Sequence, residues 1–148
     1  MPTTKKKLSA KVNIRINAPV SKVWEGLTKP EMIKQYLHGT EAISDWRMGS
    51  PLLFKGTWKG KSYSDKGVIL KIEKEKLFQY SWLSSMSGLE DRPENYSIIT
   101  YNLTPVNSGT ELSLTQENVA NEEARTNSEK NWSDVLNVLK GLLEEEDF

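Results

Sequence analysis

The feature that most limits the possible folds of this chain is the alternating pattern of residues 40–117. β-Branched and aromatic residues alternate there with polar ones, and Gly, Pro, Asn and Ser interrupt the pattern at short intervals. This texture is typical of an antiparallel meander with one buried face. The interruptions predict six strands, over residues 40–46, 51–59, 62–73, 76–82, 97–104 and 110–117.

One more strand and two short helices are predicted before the meander. Residues 10–16 alternate between apolar and polar side chains, which predicts a strand with one buried face. After Pro19, the apolar residues recur at helical spacing up to Leu27, and the same spacing resumes after Pro30 and stops at Gly39. Residues 1–9 are expected to form a flexible N-terminus.

The C-terminal segment predicts a single long helix over residues 124–145. Its apolar residues recur every three or four positions and so share one face: Trp132, Val135, Leu136, Leu139, Leu142 and Leu143. Either Asn121 or Asn127 can cap its first turn. A twisted sheet curls, and one long apolar helix is the natural cover for its concave face. The chain is therefore predicted to fold as a single α+β domain over residues 10–145.

Composition narrows the classes of function. The 20 basic and 20 acidic residues cancel, so no overall field favours nucleic acid or an anionic membrane. The absence of cysteine and the presence of one histidine, His38, exclude disulfides, thiol catalysis and zinc sites built from Cys and His. His38 is interpreted as a partner for a helix C-terminus. No apolar run has the length of a signal peptide or a membrane span, so a cytoplasmic protein is expected.

Several stretches resemble a known family. The segment INAPVSKVWEGLTKPEMIKQY, residues 16–36, is similar to the opening of the START-like (SRPBCC) helix-grip proteins, in the branch named after the activator of heat-shock protein 90 ATPase. Further similar pieces follow in the family's order: Trp46 to Gly49, Gly67, Tyr80 to Trp82, Gly109 to Gln116, and residues 131–144. Three positions depart from the family pattern, with Ser50 and Asn131 in place of glycines and Gln116 in place of a frequent histidine.

The resemblance implies a helix-grip (START/Bet v-like) fold in the order β-α-α-β6-α, with a curved seven-stranded antiparallel sheet wrapped around the C-terminal helix. It also implies a cavity between sheet and helix that holds a small hydrophobic or amphipathic molecule. Bulky rings on one face of the predicted sheet agree with a cavity wall, although such rings also fill ordinary cores. The residues predicted to line the cavity are Trp46, Phe54, Trp58, Tyr80, Trp82, Tyr101, Trp132 and Leu136. Loop 83–96 is predicted to gate entry, with Ser84, Ser87 and Gly88 giving it freedom.

Three functions are thus considered. The favoured one is a non-enzymatic ligand-binding protein, monomeric or homodimeric, with no catalytic residues, metal or cofactor and no contact with nucleic acid or membrane. The first alternative is a protein-binding module that activates the ATPase of the chaperone heat-shock protein 90. In the activator after which the family is named, this domain is one of two. The second alternative is an enzyme of the cyclase or hydrolase type using the same cavity, for which the polar candidates are Tyr63, Asp65, Glu73, Glu90, Asp91 and Arg92.

Overall fold

A computed structural model of the chain describes residues 8–37, 39–85 and 88–145. The elements, in chain order, are β1 (Leu8–Ile16), α1 (Val20–Thr28), α2 (Pro30–Tyr36), β2 (Glu41–Ser44), β3 (Pro51–Trp58), β4 (Lys61–Glu73), β5 (Leu77–Trp82), a 3₁₀ turn (Pro93–Asn95), β6 (Ser97–Val106), β7 (Gly109–Val119) and α3 (Glu122–Glu145). The seven strands form one curved antiparallel sheet, which holds the long helix α3. The predicted α+β helix-grip fold is therefore confirmed. None of the helices within the described ranges is long and apolar enough to cross a bilayer.

The strand order is β1-β7-β6-β5-β4-β3-β2, so β1 and β2 form the two edges of the sheet. The free edge of β1 is covered by side chains of α3. The backbone N–H groups of Lys11 and Asn17 donate to the carboxylates of Glu129 and Glu144 at 3.1 and 2.8 Å. The Lys140 ammonium group donates to the Arg15 carbonyl at 2.8 Å. These bonds satisfy edge groups that would otherwise be open to another strand.

Helix α3 begins after Asn121, which decides between the two predicted caps. The Asn121 side-chain oxygen accepts a hydrogen bond of 2.8 Å from the Ala124 N–H, as an N-cap residue does. Glu122 and Glu123 follow in the first turn, where the helix dipole stabilises negative charge. Further along, α1 packs close to α3 because Gly26 has no side chain: a Cβ there would lie 2.9 Å from a methyl group of Leu139.

The connection between β2 and β3 differs from the prediction. β2 ends at Ser44 rather than at residue 46, and Arg47 is exposed in the turn that follows. The Ser50 N–H donates to the Arg47 carbonyl at 2.9 Å, and Gly49 has a φ of +87° at the turn position that requires it. Trp46 has a φ of +57°, which is uncommon for so large a residue. Its backbone N–H donates to the Ser44 hydroxyl at 3.1 Å.

The predicted ends of the remaining elements agree with the structure to within a few residues. β1 begins at Leu8, so residues 8 and 9 of the predicted flexible terminus belong to the sheet. Residues 1–7 lie outside the described residues, as do His38 and Ser87, and the expectations for them remain predictions.

Candidate functional site

An open cleft of about 590 Å³ lies between the N-terminal half of α3 and the sheet. Its walls come from the corner between α2 and β2, from the ends of β4 and β5, from β7, and from α3. The residues that line it are Leu37, Thr40, Tyr63, Asp65, Trp82, Ser84, Gln116, Ser128, Asn131, Trp132, Asp134 and Val135. A volume of this size falls in the range of pockets that hold small organic ligands.

The sheet wall of the cleft follows from the alternation along β4. Tyr63, Asp65, Gly67 and Ile69 are every second residue of β4, so their side-chain positions lie on the same face of the sheet. Gly67 and Ile69 are buried, which identifies this face as the concave one. The Tyr63 ring lies over Gly56 of β3, where a Cβ would be 2.4 Å from its hydroxyl oxygen. The Tyr63 and Thr40 hydroxyl groups share a hydrogen bond of 2.5 Å. The glycine therefore makes room for a polar aromatic side chain on the cleft wall.

The helix wall is fixed by a hydrogen bond between Trp132 and Gln116. The Trp132 indole N–H donates to the Gln116 amide oxygen at 2.9 Å, and the Gln116 amide nitrogen donates to the Ser97 hydroxyl at 3.3 Å. Gln116 is buried on the concave face of β7, next along the strand after Leu112 and Leu114. The indole ring also meets the Tyr101 ring edge-on, with centroids 6.3 Å apart. The orientation of Trp132 is thus set from two sides.

The segment after β5 borders the cleft and is attached to β4. The Ser85 N–H and hydroxyl both donate to the same oxygen of Asp65, at 2.8 and 3.1 Å. Lys66 forms an ion pair with Asp91, which also accepts a 2.6 Å hydrogen bond from the Tyr96 hydroxyl. The hydrogen bond from Lys66, and then that from Tyr96, lower the pKa of Asp91 below its ordinary value. The loop predicted to be a gate is therefore held to β4 through Ser85 and Asp91, and its gating role stays a prediction.

Deeper between sheet and helices, the rings pack into a closed aromatic cluster. Phe78 lies at its centre, with ring centroids 5.2 Å from Tyr80 and 6.1 Å from Tyr101. Burial raises the pKa of Tyr80 and of Tyr101 well above the ordinary value, so both hydroxyl groups stay protonated. The space left beside these rings is only about 10 Å³, which is about the size of one water molecule. This part of the interior is filled core.

Six of the eight residues predicted to line the cavity are divided between these two regions. Trp82 and Trp132 line the open cleft. Four others surround the small inner space instead: Trp46, Phe54, Tyr80 and Tyr101. Leu136 is fully buried and lines neither space, and the side chain of Trp58 lies outside the described residues.

The polar candidates for an enzyme site are divided in a similar way. Tyr63 and Asp65 line the cleft, as a site at a cavity mouth would require. Asp91 pairs with Lys66 instead, and Arg92 pairs with Glu90 and Glu94. Glu73 lies at the far end of β4. Within the described ranges, no group of three or more His, Cys, Asp or Glu side chains could hold a metal ion.

Sequence reasoning did not place Gln116, Ser128, Asn131 and Asp134 in the site. The signal that could have found the first three is a polar residue on a face that is otherwise apolar. Gln116 follows the inward-facing Leu112 and Leu114, while Ser128 and Asn131 lie four positions before Trp132 and Val135 on the inner face of α3. Polar residues of this kind on both facing surfaces indicate a space that the core does not fill.

Comparisons with known proteins agree with this architecture. The solution structure of ChR145 from Cytophaga hutchinsonii is 47% identical in sequence, with a TM-score of 0.83 over 94% of this chain and 95% of that chain. The crystal structure of MLL2253 from Mesorhizobium loti is 23% identical, with a TM-score of 0.80 over 95% of this chain and 100% of that chain. DynU16, from the dynemicin biosynthetic locus, is 18% identical, with a TM-score of 0.76 over 92% of this chain and 47% of that chain.

Among curated protein sequences, no relative matches this chain. The family model described as activator of Hsp90 ATPase homolog 1-like protein matches residues 17–144, which run from the end of β1 to the last turn of α3. The chain therefore belongs to the family of activator of Hsp90 ATPase homolog 1-like proteins, within the START-like superfamily.

Proposed function

We propose that the protein is a non-enzymatic binding protein that holds a small amphipathic molecule in the cleft between the sheet and α3. The observation that carries this proposal is the cleft of about 590 Å³ beside two half-buried tryptophans, Trp82 and Trp132. Indole rings offer apolar contact area to a ligand at little cost in conformational entropy. Hydroxyl and amide groups on the opposite wall can orient its polar end.

The cleft, rather than the aromatic cluster, is the ligand space in this proposal. The interior beside Phe54, Tyr80 and Tyr101 has only about 10 Å³ of empty space left, so a ligand there would have to displace side chains. Leu37 is the residue common to the two linings. We therefore expect the ligand to contact the rings of Trp82 and Trp132 and to leave Tyr80 and Tyr101 in place.

A titration of the ¹⁵N-labelled protein tests the proposal. Naphthylmethanol and the flavonoid naringenin serve as probes, and the indole N–H resonances of Trp82 and Trp132 are followed by NMR and assigned with Trp→Phe variants. We expect saturable shifts of these two resonances and smaller ones for Trp24, which is buried against Phe78. If neither of these probes nor a cationic analogue of naphthylmethanol shifts the two indole resonances at millimolar concentration, the proposal is wrong.

A cleft-filling variant makes the same test specific. Ser128→Leu places an apolar side chain in the space that the probe would occupy, so we expect probe affinity to fall at least about tenfold while the fold is kept. Asn127→Leu is the matched control, because Asn127 is exposed on the same helix and does not line the cleft. Equal affinities of the two variants would place the binding site elsewhere.

The family match supports a second candidate, stimulation of the heat-shock protein 90 ATPase. A steady-state ATPase assay with the purified chaperone and this chain tests it. A concentration-dependent increase in turnover would support the role of a protein-binding module, and an unchanged rate would count against it.

An enzymatic role is a third candidate, which the presence of Tyr63 and Asp65 in the cleft favours. Mass spectrometry of a bound ligand before and after incubation would reveal turnover.

A further inference from the structure

The charged side chains that line the cleft, in the part of the chain that the structure describes, are all acidic. Asp65 from β4 and Asp134 from α3 contribute carboxylates on opposite walls, and none of the described lining residues is Lys, Arg or His. The whole chain has a formal net charge of zero, so the excess of negative charge is local to the cleft. A cleft lined by one sign of charge raises the local concentration of ligands with the opposite sign.

Among the described residues, no basic side chain forms an ion pair with either carboxylate. One oxygen of Asp65 accepts both bonds from Ser85, and no other described residue donates to its second oxygen. Asp134 is exposed and makes no ion pair or hydrogen bond with another residue in the described ranges. Other acidic groups do have such partners, as Asp91 has Lys66 and Glu144 has Lys140. The two cleft carboxylates are therefore open to a charged group of the ligand.

The rings beside these carboxylates favour the same kind of group. Trp82 and Trp132 are half-buried and line the same cleft as Tyr63. The faces of Trp and Tyr attract cations through the ring quadrupole, most strongly where water is partly excluded. A hard metal ion instead requires about six oxygen ligands, more than two carboxylates supply. Aromatic faces with isolated carboxylates suit an organic ammonium group joined to an apolar body.

We propose that the ligand of this cleft is an amphipathic organic cation, an aromatic or alkyl body that carries a protonated amine or a quaternary ammonium group. This inference rests on the proposed binding function and specifies its ligand class. The apolar body lies against the indole rings, and the cation lies near Asp65 and Asp134.

Three probes with one ring system and different charges test the inference. Naphthylmethylamine is a cation at neutral pH, naphthylmethanol is neutral, and naphthoate is an anion. Affinities are measured from the Trp82 and Trp132 indole shifts at low and high salt. We expect the amine to bind at least about fivefold more tightly than the alcohol at low salt, and the anion to bind most weakly. High salt should reduce the difference because it screens exposed charges.

Two variants locate the source of the preference. Asp65→Asn keeps an oxygen that can accept from Ser85 but removes the charge, and Asp134→Asn removes a charge from an exposed position whose loss leaves the fold intact. Each should weaken amine binding by about threefold to fivefold and weaken alcohol binding by less, since the alcohol carries no charge. Glu123→Gln is the control, since it removes a charge from α3 outside the cleft. We expect it to change neither affinity.

The outcomes separate this inference from the proposed function. If the alcohol binds in the cleft and the amine binds no more tightly, the charge preference is wrong while the binding function stands. Retention of the amine preference in the double variant Asp65→Asn, Asp134→Asn would also overturn it. If none of the three probes shifts the two indole resonances, both the inference and the proposed function are wrong.

Discussion

The two halves of α3 face the same sheet but bound different kinds of interior. In the C-terminal half, Leu136, Leu139 and Leu143 are almost fully buried, and α1 approaches closely at Gly26. We call this region the closed end. In the N-terminal half, Ser128 and Trp132 face the cleft, and we call this region the open end. Both ends use residues at the same three- and four-residue spacing, which places them on one face of the helix.

The two ends differ in their small polar residues rather than in their large aromatic ones. Rings are abundant in the filled interior, where Phe78 contacts Tyr80 and Tyr101. On its helix side the cleft is lined by Ser128 and Asn131, whose side chains are short. On the sheet side, the Tyr63 hydroxyl group is held by its hydrogen bond with the Thr40 hydroxyl group. Short side chains on one wall and a restrained ring on the other leave the gap open.

The largest expected effect tests the closed end. Leu139→Ala removes a fully buried side chain from the contact between α1 and α3. We expect the free energy of unfolding to fall by about 2–5 kcal/mol, because the lost apolar contact is accompanied by a cavity. Urea denaturation followed by circular dichroism measures this change. Val138→Ala is the control on the exposed side of the same helix, and Asn131→Ala is the counterpart at the open end.

For both reference variants we expect changes within about 0.5 kcal/mol, since neither creates a buried cavity. A similar loss in Leu139→Ala and Asn131→Ala would contradict the distinction between the two ends.

The second expected effect tests the boundary between the ends, where Trp132 donates to Gln116 at 2.9 Å. Gln116→Leu leaves the indole N–H without its acceptor, and we expect a loss of about 1 kcal/mol. Trp132→Phe removes the donor. In a double-mutant cycle the two losses should not add, and the coupling free energy should be about 1 kcal/mol. Urea denaturation of the four proteins gives this value.

A second double-mutant cycle serves as the control and uses Gln79 instead of Gln116. The Gln79 side chain donates to the Thr100 hydroxyl at 3.0 Å elsewhere on the sheet. Gln79→Leu should show no coupling to Trp132→Phe. Coupling near zero for Gln116 as well would mean that water replaces the amide as the acceptor, and that the boundary of the cleft is not fixed by this bond.

The sequence predicted the elements well because each depends on local spacing. Alternation in β5 correctly placed Tyr80 and Trp82 on the inner face, and the helical spacing correctly placed Trp132 with Leu139. These patterns report which side of an element is inward. They do not report how far the opposite wall is at a given position along it.

The distance to the opposite wall decides whether an inward-facing residue belongs to the core or to the cleft. It depends on residues that are distant in sequence. Tyr80 and Trp82 lie two positions apart on the same strand, yet Tyr80 packs against Phe54 and Trp82 lines the cleft. The position of Trp46 was equally hard to predict, because it depends on a positive φ that its residue type disfavours. The polar residues on inward faces carried the missing information about the cleft.

The smallest expected effect uses pH to compare charges at the two ends. At the closed end, the Asn17 N–H and then the Lys140 ammonium group hold the pKa of Glu144 below its ordinary value of 4.5. The folded state therefore binds this proton less tightly than the unfolded state, and the carboxylate stabilises the fold when it is ionised. This contribution is fully present above the ordinary pKa and is lost as the pH falls through the lowered one.

We accordingly expect Glu144→Gln to reduce the free energy of unfolding by about 0.5–1 kcal/mol at pH 7, and the difference from the parent protein to shrink as the pH falls below 4.5. Asp134→Asn is the counterpart at the open end, where the carboxylate has no ion pair among the described residues. We expect it to leave stability unchanged at either pH. Urea denaturation of both variants at pH 7 and in acid makes the measurement. A loss in Asp134→Asn as large as that in Glu144→Gln would show that the open end, too, uses its charge for folding, and would remove the basis for assigning that charge to a ligand.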